Sequence, residues 1–422
     1  MSTSKTTTHS FDSAIRFDRD DLKVVYTPEF YKNFTCIAAE CENTCCAHWS
    51  INLDRNTYKK FKQHSDIKIR QIAQKETKSA RKDSGNYRQI KLTSHGNCPL
   101  LEDDKLCYLQ KNYGEELLPT VCKVFPRENR LMEGELYLSL SLSCPEAARK
   151  ILLDPSAMVV TPSRITDETE LPNTIAKLAI KDVDLLQRFK QLASACVLAE
   201  NSATVEGRLF NLGMLFRLAS KRLEKGDSLH SLLNSFGQLI DSGDLNQMYQ
   251  DTKPSQNAQA FILSQLLSGV GFNTGNPVIL NYWQEAMAGL DEQSIHMTFP
   301  HFYAQYCHKN YEQLIDTQGF SFINLMLHWI YTRPFDLTSS KQLLDEYTGL
   351  VLKFFYIRTL CGLLYTPTED NQSDQSKQLI VGIVHSVSRN VDNSQHFLNL
   401  VHSGLQQQGL TQPEHILGLI KV

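Results

Sequence analysis

Eight of the chain's eleven cysteines fall between Cys36 and Cys144, and three of them stand in the run Cys41-Glu-Asn-Thr-Cys45-Cys46. The others in this window are Cys36, Cys98, Cys107, Cys122 and Cys144, whereas Cys196, Cys307 and Cys361 are scattered singly through the rest. Three readings compete: a disulfide framework, a set of buried apolar thiols, or a metal or iron–sulfur site. Disulfides need an oxidising compartment. The opening MSTSKTTTHSFDSAIRFDRDD is polar throughout, with no apolar signal core, so a cytoplasmic chain with reduced thiols is expected. Buried free thiols suit Cys196, Cys307 and Cys361. They do not explain adjacent Cys45 and Cys46 with Cys41 four residues back, because thiolates that close repel unless a cation gathers them. A metal site is the reading adopted.

Composition bounds the rest. The 422 residues allow two or three domains, and 41% hydrophobic with 21% charged residues is ordinary for a soluble protein. A net charge of −3 offers no global field for nucleic acid. No run reaches the roughly twenty apolar residues of a membrane span, so no membrane partner is expected. Lysines and arginines do cluster over Tyr58–Arg88, either as a solvated helix face or as a docking surface for an acidic partner.

Residues 1 to 20 read as a disordered or loosely attached tail, 21 to 155 as a cysteine-rich α+β domain, and 170 to 422 as an all-α domain; the fold class is mainly α. Val24-Val25-Tyr26 is a short apolar run. Asp54 is placed to cap a helix through Tyr58 and Phe61, and a second helix is expected over Asp66–Glu76. Asp83–Asn86 reads as a turn, followed by a strand over Tyr87–Leu92. His48 is a candidate ligand or donor to sulfur, and equally an ordinary histidine. A hairpin tip at Glu102-Asp103-Asp104 would set Cys98 beside Cys107. Pro119 and Pro126 stiffen the loop that presents Cys122. Arg130–Ser143 reads as two strands around Glu133-Gly134, ending where Pro145 opens a helix behind Cys144. A helix N-terminus favours a thiolate at Cys144, the state a metal ligand needs.

The order of these motifs, Cys-x-x-x-Cys-Cys, then Cys-Pro-Leu, Cys-Tyr and Pro-x-x-Cys-x-x-Phe-Pro, resembles the YkgJ-type cysteine-cluster family, described as zinc- or iron-chelating. Length, the long C-terminal extension and the details around CENTCC and PTVCKVFPR resemble the flagellin lysine N-methylase (FliB) family. That resemblance implies an S-adenosylmethionine-dependent methyltransferase acting on lysines of flagellin, with a 4Fe–4S cluster favoured over zinc. It implies metal ligation by members of the set Cys36, Cys41, Cys45, Cys46, Cys98, Cys107, Cys122 and Cys144. Eight cysteines exceed the four that one site requires, so some are outer residues or a second metal is bound.

A lysine near its ordinary pKa must lose a proton before it attacks a sulfonium methyl. Tyr108 and Arg127, within the metal loops, are the candidates for catalysis, and each has a packing role as its alternative. Cys41-x-x-x-Cys45-Cys46 lacks the Cys-x-x-x-Cys-x-x-Cys spacing of radical enzymes, which leaves the metal a structural or donor-positioning part. A metal-stabilised binding protein and a redox protein are the competing classes.

The remainder shows i, i+3, i+4 apolar spacing over Ile175–Leu198, Glu206–Lys225, Ser228–Ser242, Ala258–Leu267, Pro277–Leu290, Phe299–Asp316, Phe320–Tyr331, Ser339–Tyr365, Gln375–Arg389, Asp392–Gln408 and Pro413–Ile420. Gly269–Gly275 is glycine-rich but follows a helical run, so it reads as a linker and not as a nucleotide loop. No Walker, H-E-x-x-H or G-x-S-x-G motif is present. The aromatic segments HFYAQYCHKNY and LKFFYIRTL read as core, with a cation pocket as the alternative, and His301 and His308 as structural or exposed.

Overall fold

A computed structural model describes residues 24–80, 87–164, 176–178, 180, 182–202, 204–269, 277–366, 372–391 and 395–421. The expected tail over 1–20, the turn at Asp83–Asn86 and most of the Gly269–Gly275 linker lie outside them. Two compact units divide the chain. One takes the described residues of Met1–Thr27, Phe34–Glu146 and Thr161–Ala179; the other takes Pro28–Asn33, Ala147–Val160 and Ile180–Val422. Two short N-terminal stretches are thus counted with the helical unit.

The cysteine-rich stretch is α+β, built from strands β1 (Val24–Pro28), β2 (Asn52–Leu53), β3 (Thr77–Ser79), β4 (Arg88–Ile90), β5 (Arg130–Met132), β6 (Glu135–Tyr137), β7 (Val160–Ser163) and β8 (Ala176–Lys177). Its helices are α1 (Glu29–Lys32), α2 (Arg55–Gln63), α3 (Ile67–Lys75), α4 (Tyr108–Tyr113), α5 (Thr120–Val124) and α6 (Pro145–Leu152). Strands β7-β1-β6-β5-β8 form one sheet and β2-β4-β3 a second. Asp54 caps α2 by accepting from Asn56 and Thr57, and Asp66 caps α3 by accepting from Lys68 and Ile69. The β5–β6 hairpin turns on Glu133 and Gly134, whose φ of 45° and 87° belong to a two-residue turn that matches strand twist. The second strand stops at Tyr137 instead of running to Ser143. Beyond it the chain pairs with 126–128 through Glu128 N–H to Ser139 O (2.8 Å) and Ser141 N–H to Pro126 O (2.7 Å). Pro126 has no N–H to return, so no regular ladder forms.

The helical unit runs α7 (Val183–Leu198), α8 (Val205–Glu224), α9 (His230–Asp241), α10 (Asp244–Asp251), α11 (Gln256–Leu267), α12 (Pro277–Ala288), α13 (Phe299–Tyr306), α14 (His308–Thr332), α15 (Ser340–Leu364), α16 (Gln372–Val391), α17 (Gln395–Gln407) and α18 (Pro413–Ile420). Helix α15 is its axis, packing on α8, α14, α16, α12 and α18. By length and composition α15 could cross a membrane, contrary to the expectation that no run is long enough, but most of it is buried as a core helix is. Each of its large buried side chains, such as Phe355 and Ile357, contributes about 1.5–3 kcal/mol.

Three boundaries differ from the apolar periodicity. Ala176–Lys177 pair with β5 as strand β8, and α7 starts only at Val183, behind its cap Asp182. Helix α10 follows Gly243 at φ 79°, and its DLNQMYQD sequence is too short and polar to show a period. An unexpected break falls at Cys307 within the expected helix Phe299–Asp316, while the break expected between Asp316 and Phe320 is present as a kink at Gln318 (φ −128°, ψ 20°) inside α14. Cys196, Cys307 and Cys361 are buried thiols of these helices, as expected, and burial pushes each pKa up.

Candidate metal centre

Backbone pairing, and not sequence proximity, gathers the cysteine loops. Cys98 N–H donates to Cys46 O at 2.7 Å and His48 N–H to Gly96 O at 2.8 Å, with an antiparallel bridge between Ala47 and Asn97. This welds the CENTCC loop to the Asn97-Cys98-Pro99 loop. Gly96 sits at φ 78°, and any Cβ there would collide with Nδ1 of His48. His48, itself at φ 59°, therefore has a packing role against that turn.

A second turn carries Cys107. Glu102 N–H donates to Leu106 O at 2.9 Å, Tyr108 N–H to Leu100 O at 2.8 Å, and Leu101 bridges Cys107. The hairpin tip forms as expected, with Leu101 as the residue opposite Cys107. Cys107 is also the N-cap residue of α4. Cys122 lies on α5, whose neighbour Phe125 meets the Trp49 ring at 5.6 Å between centroids. The Trp49 indole N–H donates to Cys45 O at 2.5 Å, which steadies the adjacent-cysteine turn. Cys46, Cys107 and Cys122 pack against the same core as buried Cys98, alongside Phe61, Ile69 and Leu109.

The sulfurs sense one another. Cys46 hydrogen-bonds to Cys107 and to Cys45, so it holds its proton tightly. Cys107 accepts from Cys46 and is brought down to about 6, helped by the backbone amides of Gln110 and Leu109. Burial pushes Cys98 up to about 12 and Cys122 well above the usual thiol range, and each feels the charge of Cys45 and Cys107. Cys45 joins this group to Cys41 and Cys36, because Cys41, raised first by burial, is also affected by both. Cys45, Cys46, Cys98, Cys107 and Cys122 are thus linked pairwise as electrostatic neighbours, and Cys41 feels both Cys45 and Cys36. Cys144 stands buried at the start of α6, its N–H donating to Ser141 O at 3.2 Å.

Among the described residues no three His, Cys, Asp or Glu side chains already form a closed ligand shell. The donors are neighbours, not a finished polyhedron. Their chemistry still fits a soft or borderline cation, which would draw off the protons that burial holds on Cys98 and Cys122 and bind the thiolate already favoured at Cys107.

The two catalytic candidates are placed differently. Tyr108 donates its hydroxyl to Asp66 Oδ2 at 2.6 Å, and Tyr113 donates to the same oxygen at 2.7 Å. These bonds lower Asp66 to about 2 and raise Tyr108 to about 12, so the phenol is a donor that keeps its proton. Lys68 Nζ lies 3.8 Å from the Tyr108 ring centre and pairs with Glu102 at 3.2 Å. Sequence reading missed the Asp66–Tyr108–Tyr113 trio, whose members are distant along the chain. Arg127 stands 5.7 Å over the Phe34 ring, with its N–H donating to Val124 O at 2.7 Å.

Comparison with known proteins places the helical unit. The profile of the FliB lysine N-methylase C-terminal domain matches residues 192–419, more than half the chain. The chain therefore belongs to the FliB lysine N-methylase family. It is 29% identical over 268 residues to the lysine-N-methylases of Salmonella choleraesuis and Salmonella typhimurium, covering 62% of this chain and 65% of each relative. The match thus spans just under two thirds of those relatives. The flagellar biosynthetic protein FliU of Salmonella muenchen is 41% identical over 137 residues, 32% of this chain and 81% of that protein. No solved structure matches the chain. The matched domain begins after Cys144, so the likeness of the cysteine region to YkgJ-type proteins stands on its motifs alone.

Proposed function

We propose that the chain is an S-adenosylmethionine-dependent protein-lysine N-methyltransferase of the cytoplasm, acting on flagellin, whose cysteine-rich unit holds a 4Fe–4S cluster. One observation carries the metal part. The Cys46–Cys98 weld and the Leu101–Cys107 bridge bring sulfurs from four separate stretches onto one core edge, with Cys122 supplied by α5. Family membership through residues 192–419 supports the methyl-transfer part.

Cys45, Cys46, Cys98, Cys107 and Cys122 are the residues that would hold the cluster; four suffice and the fifth is an adjacent donor. When bound, it would cross-link these loops and offer an iron able to ligate the donor's amino and carboxylate groups. Zinc accepts the same thiolates and is the second occupant to test. The chain's own task is alignment, since the donor methyl is already electrophilic and the amine, carbon and sulfur must be brought into line. The target lysine has to arrive deprotonated. Tyr108, which keeps its proton on Asp66, suits orientation of a neighbouring group better than removal of that proton.

The test is oxygen-free purification with iron, sulfide and zinc analysis, followed by incubation with S-adenosylmethionine and flagellin. Near-stoichiometric iron and sulfide with methyl-sized mass gains on flagellin lysines are expected. A metal-loaded chain that leaves flagellin unmodified would remove the methylase reading; a metal-free active chain would remove the cluster.

A further inference from the structure

We propose that the basic face of α2, β3 and β4 is the docking surface for an acidic face of the protein substrate. The proposal rests on the protein-methyltransferase reading above and adds how the substrate is held. Among the described residues from Asp54 to Lys91 there are ten Lys or Arg against three Asp or Glu, in a chain whose net charge is −3. Arg55, Lys59, Lys60, Lys62, Lys75 and Lys78 are exposed, and no carboxylate partner is found for them among the described residues. Unpaired like charges on one surface repel, and an arriving anion relieves that repulsion.

The basic stretch has an aromatic centre. Tyr58 of α2 meets the Tyr87 ring at 5.3 Å, and the Arg88 guanidinium lies 5.5 Å over Tyr58. Arg88 also binds Thr77 and Ser79, which ties α2 to β3. Tyr87 is 48% exposed although its ring meets Tyr58 at a tilt of 57°. An exposed tyrosine beside an arginine-capped tyrosine has the residue types of a protein-binding hot spot, with the lysines as its charged rim.

A polyanion such as RNA also likes cations and tyrosines, but two observations favour a protein. Helices α2 and α3 have nine residues each, about 14 Å of axis, so the positive field is short. A nucleic acid would run beyond it over a chain that is otherwise net negative. An acidic patch on a folded protein need be no longer than the face itself.

The full-length chain should be compared with a Lys59→Glu/Lys60→Glu/Lys62→Glu variant and a Tyr87→Ala variant. Binding of unmodified flagellin is read without methyl donor, over a salt series, with poly-L-glutamate as competitor and an RNA oligonucleotide as the alternative ligand. The expected result is wild-type binding that weakens with salt and yields to poly-L-glutamate. The triple variant should bind at least about tenfold more weakly. In methyl-transfer assays the loss should appear in KM, with kcat kept. Unchanged binding by the triple variant, failure of the wild type to bind flagellin, or tighter binding of RNA through these lysines overturns the proposal. Flagellin bound through this face but never methylated would instead sink the methylase reading alone.

Discussion

The amide of Cys98 donates to the carbonyl of Cys46 at 2.7 Å, joining two loops that are 52 residues apart in sequence. With the Ala47–Asn97 bridge, that bond holds the Cys45-Cys46 loop against the Cys98 loop. Cysteines on the welded loops and on the turn and helix beside them should matter more to metal retention than those outside. Cys46→Ala, Cys98→Ala and Cys122→Ala are expected to lower bound iron severalfold in oxygen-free preparations, whereas Cys196→Ala and Cys361→Ala should keep it. Retention of full iron and colour in Cys122→Ala would remove that residue from the ligand set.

Gly96 tests the weld without touching a sulfur. An alanine there must tolerate φ near 78° and make room beside His48. The strain and the collision together should cost about 1–3 kcal/mol, and the shift should fall on the Cys46–Cys98 pairing. Thermal unfolding and metal content measured on the same sample check this. Gly96→Ala with unchanged metal content would mean that the weld does not position the site.

Asp66 gives a pH signature. Hydrogen bonds from Tyr108, then Tyr113, lower its folded pKa to about 2 from 3.8. A carboxylate with a depressed folded pKa adds stability that is present above its unfolded pKa and fades as pH falls toward the folded value. Asp66→Asn keeps a side chain able to cap α3 but removes this charge. Wild type should therefore be the more stable at neutral pH, and the gap should close between about pH 4 and pH 2. The site is only half-buried and open to solvent at Tyr113, so screening keeps the effect small and it is best followed as a midpoint difference across pH.

Local chemistry was legible in the sequence and long-range pairing was not. Asp54 declares itself as a cap because its bond partners lie two and three residues on, whereas Asp66, expected as the first residue of its helix, caps it from just outside. Glu133-Gly134 and the Glu102–Lys105 turn are readable for the same reason. Crowded cysteines point to a metal because sulfur spacing is a local fact too. Which sulfurs become neighbours depends on bridges from Ala47 to Asn97 and from Leu101 to Cys107, and only the second is short-range. The Asp66–Tyr108 bond spans 42 residues, and no periodicity marks it. In the helical unit, apolar spacing located the long helices but not α10 or the break at Cys307, where boundary residues and not period decide.

Arg358 is the strongest test of the helical unit. It is fully buried in α15, donates to Ile420 O at 2.9 Å and lies 3.6 Å from Glu206 Oε1. Phe299, Tyr303, Phe354 and Phe355 surround the guanidinium within 6 Å. Arg358 thus connects α15 to the N-terminus of α8 and to the last turn of α18. Truncating one member of a buried pair strands the other, so Arg358→Met should destabilise by about 3 kcal/mol. Adding Glu206→Gln removes the stranded charge and should return part of that loss, a coupling that a double-mutant cycle measures. The bond to Ile420 is lost in both variants. Hydrogen exchange in α18 should therefore rise in the single and the double mutant alike, even where overall stability partly recovers. Exchange that recovers together with stability would show that the charge pair, and not the carbonyl bond, holds α18 in place.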